Sequence, residues 1–256
     1  MAPRQGLSAV MVKRALVESI DAAEALIGTG RVLVNGARAM SGAHQVAPND
    51  SVHITEQVRF VSRGGEKLQA AIDHFGIDFK GKRVLDAGAS TGGFTDCALQ
   101  AGAAHVTAVD VGRALLHERI AHDMRVVVVE EFNVRRLAEW NLNRDDQTAI
   151  GEIYDIVVAD LSFISLTAVA DALCGRVTPD GVLVLLVKPQ FEAEKSEVDR
   201  GAGVITDPAV HQRTCETVAN AYRLRGCSVR GLMPSPLRGA HGNIEFLLYL
   251  GRGPSS

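Results

Sequence analysis

The sequence predicts an α/β protein in which helices cover both faces of a mostly parallel sheet, preceded by a small α+β domain. Three observations lead there. Beyond residue 66, apolar runs of strand length alternate with segments of helical period, the pattern of successive β-α-β units. One of those runs, at Val84 and Leu85, opens directly into a glycine-rich loop. The first sixty residues depart from the alternation, with two short helical phases and one strand ending in Asn35-Gly36. The expected organisation is a small domain over 1–59, a linker over 60–65 and a large domain over 66–256.

In the first domain, Leu7, Met11, Arg14 and Ala15 mark one helix, and Ala22, Ala23, Leu26 and Ile27 mark a second. Gly28 and Gly30 end it, and Arg31 to Val34 read as a strand running into the Asn-Gly turn. The junction VRFVSRGG, with Arg63 and a glycine pair, suits a hinge. Lys67, Leu68, Ala71, Ile72 and Phe75 then make an amphipathic helix. Further helices are expected over 113–122, 134–143, 164–174 and 208–225. Strands are expected over 126–129, 153–160, 182–187, 229–233 and 244–250.

The loop Asp86-Ala-Gly-Ala-Ser-Thr-Gly-Gly93 places glycines where a backbone must turn sharply or press against a ligand. Phe94, Cys97, Ala98 and Ala101 follow at helical spacing, and the next apolar run ends in Asp110. An acid at the end of the second strand of such a unit can accept hydrogen bonds from both hydroxyls of a ribose, so the ligand should contain a nucleoside. The spacing of Gly88, Gly92 and Gly93 matches neither G-x-G-x-x-G nor G-x-x-x-x-G-K-[ST], which disfavours a pyrophosphate.

Composition sets the outer bounds. With 46% hydrophobic and 22% charged residues the chain reads as globular. Its longest apolar run, Val182–Val187, is far short of the ~20 residues that cross a bilayer. The amino-terminal stretch lacks the apolar core of a secretory signal, so a cytoplasmic location is expected. Cys97, Cys174, Cys215 and Cys227 form no C-x-x-C pair, so they read as packing residues, with neither a metal site nor a disulfide framework. Net charge is −3, which by itself establishes no nucleic-acid partner.

Three charges stand where packing alone would not put them: Asp160 after IVVA, Lys188 after VLLV and Glu245 within the last expected strand. Charges at the carboxyl ends of central strands face the ligand crevice, and burying them unpaired costs several kcal/mol each. Lys67 joins them as a fourth candidate from the helix beside the sheet. A Lys-Asp-Lys-Glu set in this order resembles that of ribose 2′-O-methyltransferases, and the resemblance implies attack on a methyl group by a ribose hydroxyl, a very weak acid that needs a nearby base. Lys188 is the candidate base, because a desolvated ammonium beside a second one releases its proton more readily. Asp160 would orient it, with Lys67 and Glu245 fixing the hydroxyl.

The pattern D-A-G-x-x-x-G-G-F resembles the first motif of S-adenosylmethionine-dependent methyltransferases, and Lys67, Asp160, Lys188 and Glu245 resemble the tetrad of FtsJ-like ribose 2′-O-methyltransferases. SRGGxKL, DAGASTGGFTD, ADLSFIS, LVKPQFEA, GAGVITDP and GNxEFLLxL together resemble the TlyA family of ribosomal RNA methyltransferases. The resemblance implies a Rossmann-like methyltransferase sheet ending in an antiparallel hairpin, with S-adenosylmethionine as cofactor. It also implies a cytidine ribose in ribosomal RNA or assembled subunits as substrate. The cofactor would lie against Asp86, Gly88, Ser90, Thr91, Gly92, Phe94 and Asp110, with Asn133 at the adenine edge. The first domain resembles the small RNA-binding domain first described in a ribosomal protein, which implies RNA contacts from Lys13, Arg14, Arg31, Arg38 and Arg63. Ser8 stands where that family usually has Asp, and Ile20 where it has Arg.

Two other classes stand beside this reading. One is a non-catalytic RNA-binding protein on a methyltransferase fold, against which the full set of four charged positions argues. The other is a membrane-active protein, because some relatives of the TlyA family carry the name hemolysin; no basic amphipathic face in the sequence supports it. No feature calls for an obligate protein partner.

Overall fold

The computed structural model describes residues 4–55, 59–139 and 153–253. The chain divides into two units, Met1–Arg59 and Phe60–Ser256.

In the first unit, β1 (Gln5–Gly6) leads into α1 (Leu7–Lys13), and α2 (Ile20–Gly28) follows after a turn. Ser19 caps α2, its hydroxyl accepting from the Ala22 amide at 3.1 Å. Then come β2 (Val32–Val34), β3 (Ala37–Arg38), β4 (Gln45–Val46) and β5 (Val52–Ile54). Strands β3, β2 and β5 form an antiparallel sheet, and β4 pairs with β1. Asn35 and Gly36, at φ 52° and 82°, close the two-residue turn that sets Val34 opposite Ala37. Leu7, Met11, Ala23, Ile27, Val32 and Val34 fill the core between helices and sheet.

The second unit contains α3 (Gly64–Phe75), β6 (Arg83–Ala87), α4 (Gly93–Gln100), β7 (His105–Val109), α5 (Glu118–Ala121), β8 (Val126–Val129) and β9 (Tyr154–Ala159). Next are α6 (Ala170–Cys174), β10 (Val177–Val187), α7 (Pro189–Glu192), α8 (Lys195–Arg200), α9 (Pro208–Arg223), β11 (Cys227–Pro234) and β12 (Phe246–Arg252). Its seven-stranded sheet has the order β11-β12-β10-β9-β6-β7-β8. Strands β6 to β10 run parallel to one another, whereas β12 runs antiparallel to both β10 and β11.

Alternation along the strands divides the core into two layers. On β10, Leu183, Leu185 and Val187 pack with α6 and α9, while Val184 and Leu186 face the layer of α3 and α4. The chain builds from β6 outward through β7 and β8, then returns to place β9 on the other side of β6. That reversal leaves a crevice at the carboxyl ends of β6 and β9.

Several elements differ from the sequence reading. The segment 60–65 is no linker: Phe60 is 1% exposed, and a Cβ on Gly65 would fall 2.2 Å from Phe60 Cγ. The Val61 amide donates to the Asp96 carboxylate at 2.8 Å, and Gly64 and Gly65 form the first turn of α3. The helix expected over 113–122 shrinks to α5, because Ala114 is left-handed at φ 51° and its amide is held by Glu130 at 2.6 Å. Residues 134–139 form a 3-10 turn, and positions 140–143 of the expected helix lie outside the described residues. The helix expected from Ile164 starts at Leu166, whose amide donates to Glu192 at 2.7 Å. Glu245 precedes β12 instead of lying inside it.

Phe60→Ala should destabilise the second unit by about 3–5 kcal/mol, as emptying a fully buried aromatic site does. Urea unfolding of the full chain followed by circular dichroism measures it, and a loss below about 1 kcal/mol would be inconsistent with this packing.

Candidate active site

The loop leaving β6 passes close against the end of β9. Gly88 is at φ 85°, and a Cβ there would lie 2.7 Å from the Asp160 carbonyl oxygen, so only glycine lets the two strand ends approach. Gly93 meets a similar limit, since its Cβ would come within 2.3 Å of Ser62 Oγ and 2.9 Å of the Gly65 amide nitrogen. Gly88 and Ala89 both donate their amides to the Val109 carbonyl, tying the loop to the end of β7. There the Asp110 carboxylate accepts from the amides of Ser90 and Gly112, each at 2.8 Å.

Two cavities of about 370 and 410 Å³ open on this crevice and share Gly88, Ser90, Asp160, Ser162 and Phe163. The larger, lined also by Asp110, Val111, Leu115, Asn133 and Ile164, has an acid at one side and apolar walls at the other. Asn133 both lines this cavity and caps the following 3-10 turn, accepting from the Arg135 amide at 3.0 Å.

All four candidate catalytic residues line the smaller cavity, arranged as two ion pairs. Lys67 Nζ lies 2.5 Å from Glu245 Oε2, and Lys188 Nζ lies 2.7 Å from Asp160 Oδ1. Lys67, Lys188 and Glu245 are 9%, 8% and 2% exposed, so each ammonium has been taken from water and given a carboxylate in return. Lys188 also donates to Ser162 Oγ at 2.9 Å. A Cβ on Gly239 would strike Glu245 Oε1 at 2.0 Å, which leaves that carboxylate room only beside a glycine.

Ser90, Thr91 and Phe94 line the smaller cavity together with Gly88. Gly92 and Asp86 line neither, contrary to the sequence reading of them as cofactor contacts. A Cβ on Gly92 would point at Ile120 and Leu116, away from both cavities. Asp86 is 0% exposed beneath the loop and accepts the Thr95 hydroxyl at 2.6 Å, with Oδ1 unpartnered. Burial raises its carboxyl to about 7; the Thr95 hydrogen bond opposes this, and the charges of Asp160 and Asp110 add to it. Burial likewise raises Glu192, which receives the Ser165 hydroxyl and the Leu166 amide and so braces the segment after β9.

Sequence reasoning passed over Ser162, Phe163, Gln190 and Phe191 of the smaller cavity, although they sit in the same motifs as Asp160 and Lys188. Phe163 is 92% exposed with its backbone at φ 63°, and its ring centroid lies 5.2 Å from that of Phe191. A strained backbone that presents an apolar ring to water is out of keeping with packing.

The basic candidates of the first unit divide in two. Arg14 donates to the carbonyls of Ala47, Pro48 and Asp50, and Arg31 donates twice to that of Thr55, so both guanidinium groups close the fold of their own unit. Lys13 and Arg38 are exposed, Lys13 reaching only Gln5 at 3.3 Å. Ser8 is buried and donates to Glu24 at 2.6 Å. In the second unit, Arg63 is exposed and lines the smaller cavity. Among the described residues no group of three or more His, Cys, Asp or Glu could hold a metal ion, and no helix is long and apolar enough to cross a membrane.

The chain is 44% identical to the 16S/23S rRNA (cytidine-2′-O)-methyltransferase TlyA of Mycobacterium tuberculosis, over 98% of its own length and 91% of the relative's. It is 38% identical to Hemolysin A of Brachyspira hyodysenteriae, over 91% of this chain and 93% of that one. A solved Streptococcus thermophilus structure, also named as a hemolysin, superposes with a TM-score of 0.71 at 34% identity, covering 100% of this chain and 90% of that one. Residues 60–252 match the family described as FtsJ-like methyltransferase, so the chain belongs to the FtsJ-like methyltransferases.

Proposed function

We propose that the protein transfers a methyl group from S-adenosylmethionine to the 2′-hydroxyl of a ribose, that of a cytidine in ribosomal RNA, acting in the cytoplasm. The observation that carries this reading is the meeting of two cavities at Gly88 and Asp160, one with a nucleoside's requirements and the other holding both lysine–acid pairs. The residues present fit the cofactor. Asp110 offers a carboxylate to ribose hydroxyls, Leu115, Val111 and Ile164 offer apolar surface to the adenine, and Asn133 a polar edge. Ser90, Thr91 and Phe94 flank the place for the methionine end.

When bound, the cofactor supplies an electrophilic methyl group. Lys188, after its ammonium has released one proton to solvent, takes the proton of the attacking hydroxyl on the freed amine, and Asp160 and Ser162 aim its Nζ. Lys67, held by Glu245, steadies the hydroxyl oxygen from the other side, so the oxygen approaches the methyl in line. Phe163 and Phe191 give the target base a face on which to stack once it leaves its helix, which suits recognition of unpaired RNA. Ribosomal RNA and cytidine as the substrate rest on likeness to TlyA, and of the candidate RNA contacts read from the sequence, Lys13, Arg38 and Arg63 are exposed and suited to RNA phosphates.

Incubating unmodified ribosomal RNA, subunits and whole ribosomes with radiolabelled cofactor, then mapping the label, tests activity and substrate together; absence of label from all three would refute the reading. Lys188→Ala should lower transfer by about 10²–10⁴-fold, the usual worth of a general base, while cofactor affinity changes by less than about twofold. Asp110→Ala should instead weaken cofactor binding by about tenfold or more in calorimetry, the value of charge-assisted hydrogen bonds. Phe163→Ala should raise KM for RNA by the equivalent of about 1–3 kcal/mol of stacking and leave cofactor affinity intact.

A further inference from the structure

Asp86 is a fully buried carboxyl that the mechanism above does not use. It is the next-to-last residue of β6, paired in register with Ala108 on β7 and Val158 on β9, in the middle of the sheet. Two residues later Gly88 walls both cavities. From α4 it receives the hydroxyl and the backbone amide of Thr95, and its Oδ1 has no partner. The other charges bearing on it are Asp110 at the end of β7 and Asp160 at the end of β9, the latter paired with Lys188. No cation within the protein is paired with it among the described residues.

We propose that Asp86 senses the charge of the group lying over the glycine loop, so that its ionised form favours the sulfonium donor over the neutral thioether product. The inference rests on S-adenosylmethionine as the ligand. A positive charge brought over the loop offsets the burial and the two neighbouring carboxylates that keep a proton on Asp86. The proton leaves as the donor binds, and the donor binds more tightly as the medium becomes less acid. Methyl transfer removes that positive charge. The thioether product is then left above a buried carboxylate with nothing to offset it, so the carboxyl takes a proton back and the product is held less firmly. Asp86 acts through the field at the loop and is a positioning residue for turnover; it touches no reacting atom.

The sign follows from its raised carboxyl, near 7 when the site is free. Between about pH 5.5 and about pH 7.5, below the range where an amino acid's ammonium titrates, donor affinity should rise by about five- to tenfold when the sulfonium lowers Asp86 by one unit. Affinity for S-adenosylhomocysteine should change by less than about twofold across the same window.

Calorimetry of the full chain with each compound, repeated in buffers of different ionisation heat, counts the protons released. Wild type should release a fraction of a proton with S-adenosylmethionine and almost none with S-adenosylhomocysteine. Asp86→Asn should remove both the release and the pH-dependent preference. Thr95→Val, which deletes the side-chain hydrogen bond to the carboxylate and keeps the backbone one, should move the midpoint of the preference to higher pH and keeps the test alive if Asp86→Asn does not fold. A purely structural Asp86 would alter the pH dependence of thermal unfolding and leave the proton count untouched. Equal proton release by wild type and Asp86→Asn, or none by wild type, overturns the proposal. Failure of either compound to bind at any pH would instead overturn the cofactor reading itself.

Discussion

Between β6 and β9 the two halves of the parallel sheet are laid down in opposite directions, so no single connection can cover both strand ends. The loop after β6 must turn toward α4 and the loop after β9 toward α6, and the space between them is the crevice. The approach is close: the backbone at Gly88 comes so near the Asp160 carbonyl that a methyl group would not fit between them. Because both loops start from hydrogen-bonded strands, the residues facing the crevice inherit the rigidity of the sheet. Asp110 illustrates this, since the amides that fix its carboxylate belong to loops anchored at β7 and β6.

The charges in the crevice are arranged to be tolerable without a ligand. A buried ammonium needs a counter-charge and filled hydrogen-bonding capacity, and Lys188 has Asp160 for the first and Ser162 toward the second. Lys67 and Glu245 satisfy each other at the opposite wall. The site therefore holds two internally balanced pairs, and the cavity between them carries no net charge from the four groups. Glu192 contributes at one remove, gripping Ser165 and Leu166 so that the segment carrying Ser162 and Phe163 leaves β9 in a fixed direction.

Much of this was legible in the sequence because it violates ordinary packing. Charges at Asp160 and Lys188, straight after runs of buried aliphatics, and glycines clustered after a strand are costly choices unless a ligand is present. What could not be read depended on which way a side chain points. Asp86 and Gly92 lie in the same motif as Gly88 and Phe94, yet pleat and helix phase turn them away from the cavities. Arg14 and Arg31 look like free cations in sequence, but their partners are backbone carbonyls, which leave no mark on residue identity. Phe60 and the glycines beside it suggested a hinge by composition, whereas the aromatic ring decides the matter by being buried. Phe163 is spelled like any core phenylalanine, and only its left-handed backbone exposes it.

The ion pair between Lys67 and Glu245 joins residues 178 positions apart. During synthesis the lysine leaves the ribosome long before its acid, and until β12 has been inserted between β10 and β11 the start of α3 carries an ammonium with no counter-ion. That wall of the cavity is thus completed only when a segment 178 positions further along the chain has been made. A chain stopped before Glu245 would present the glycine loop and three of the four charged groups, so insertion of β12 between β10 and β11 is the event that brings the two lysine–acid pairs into balance.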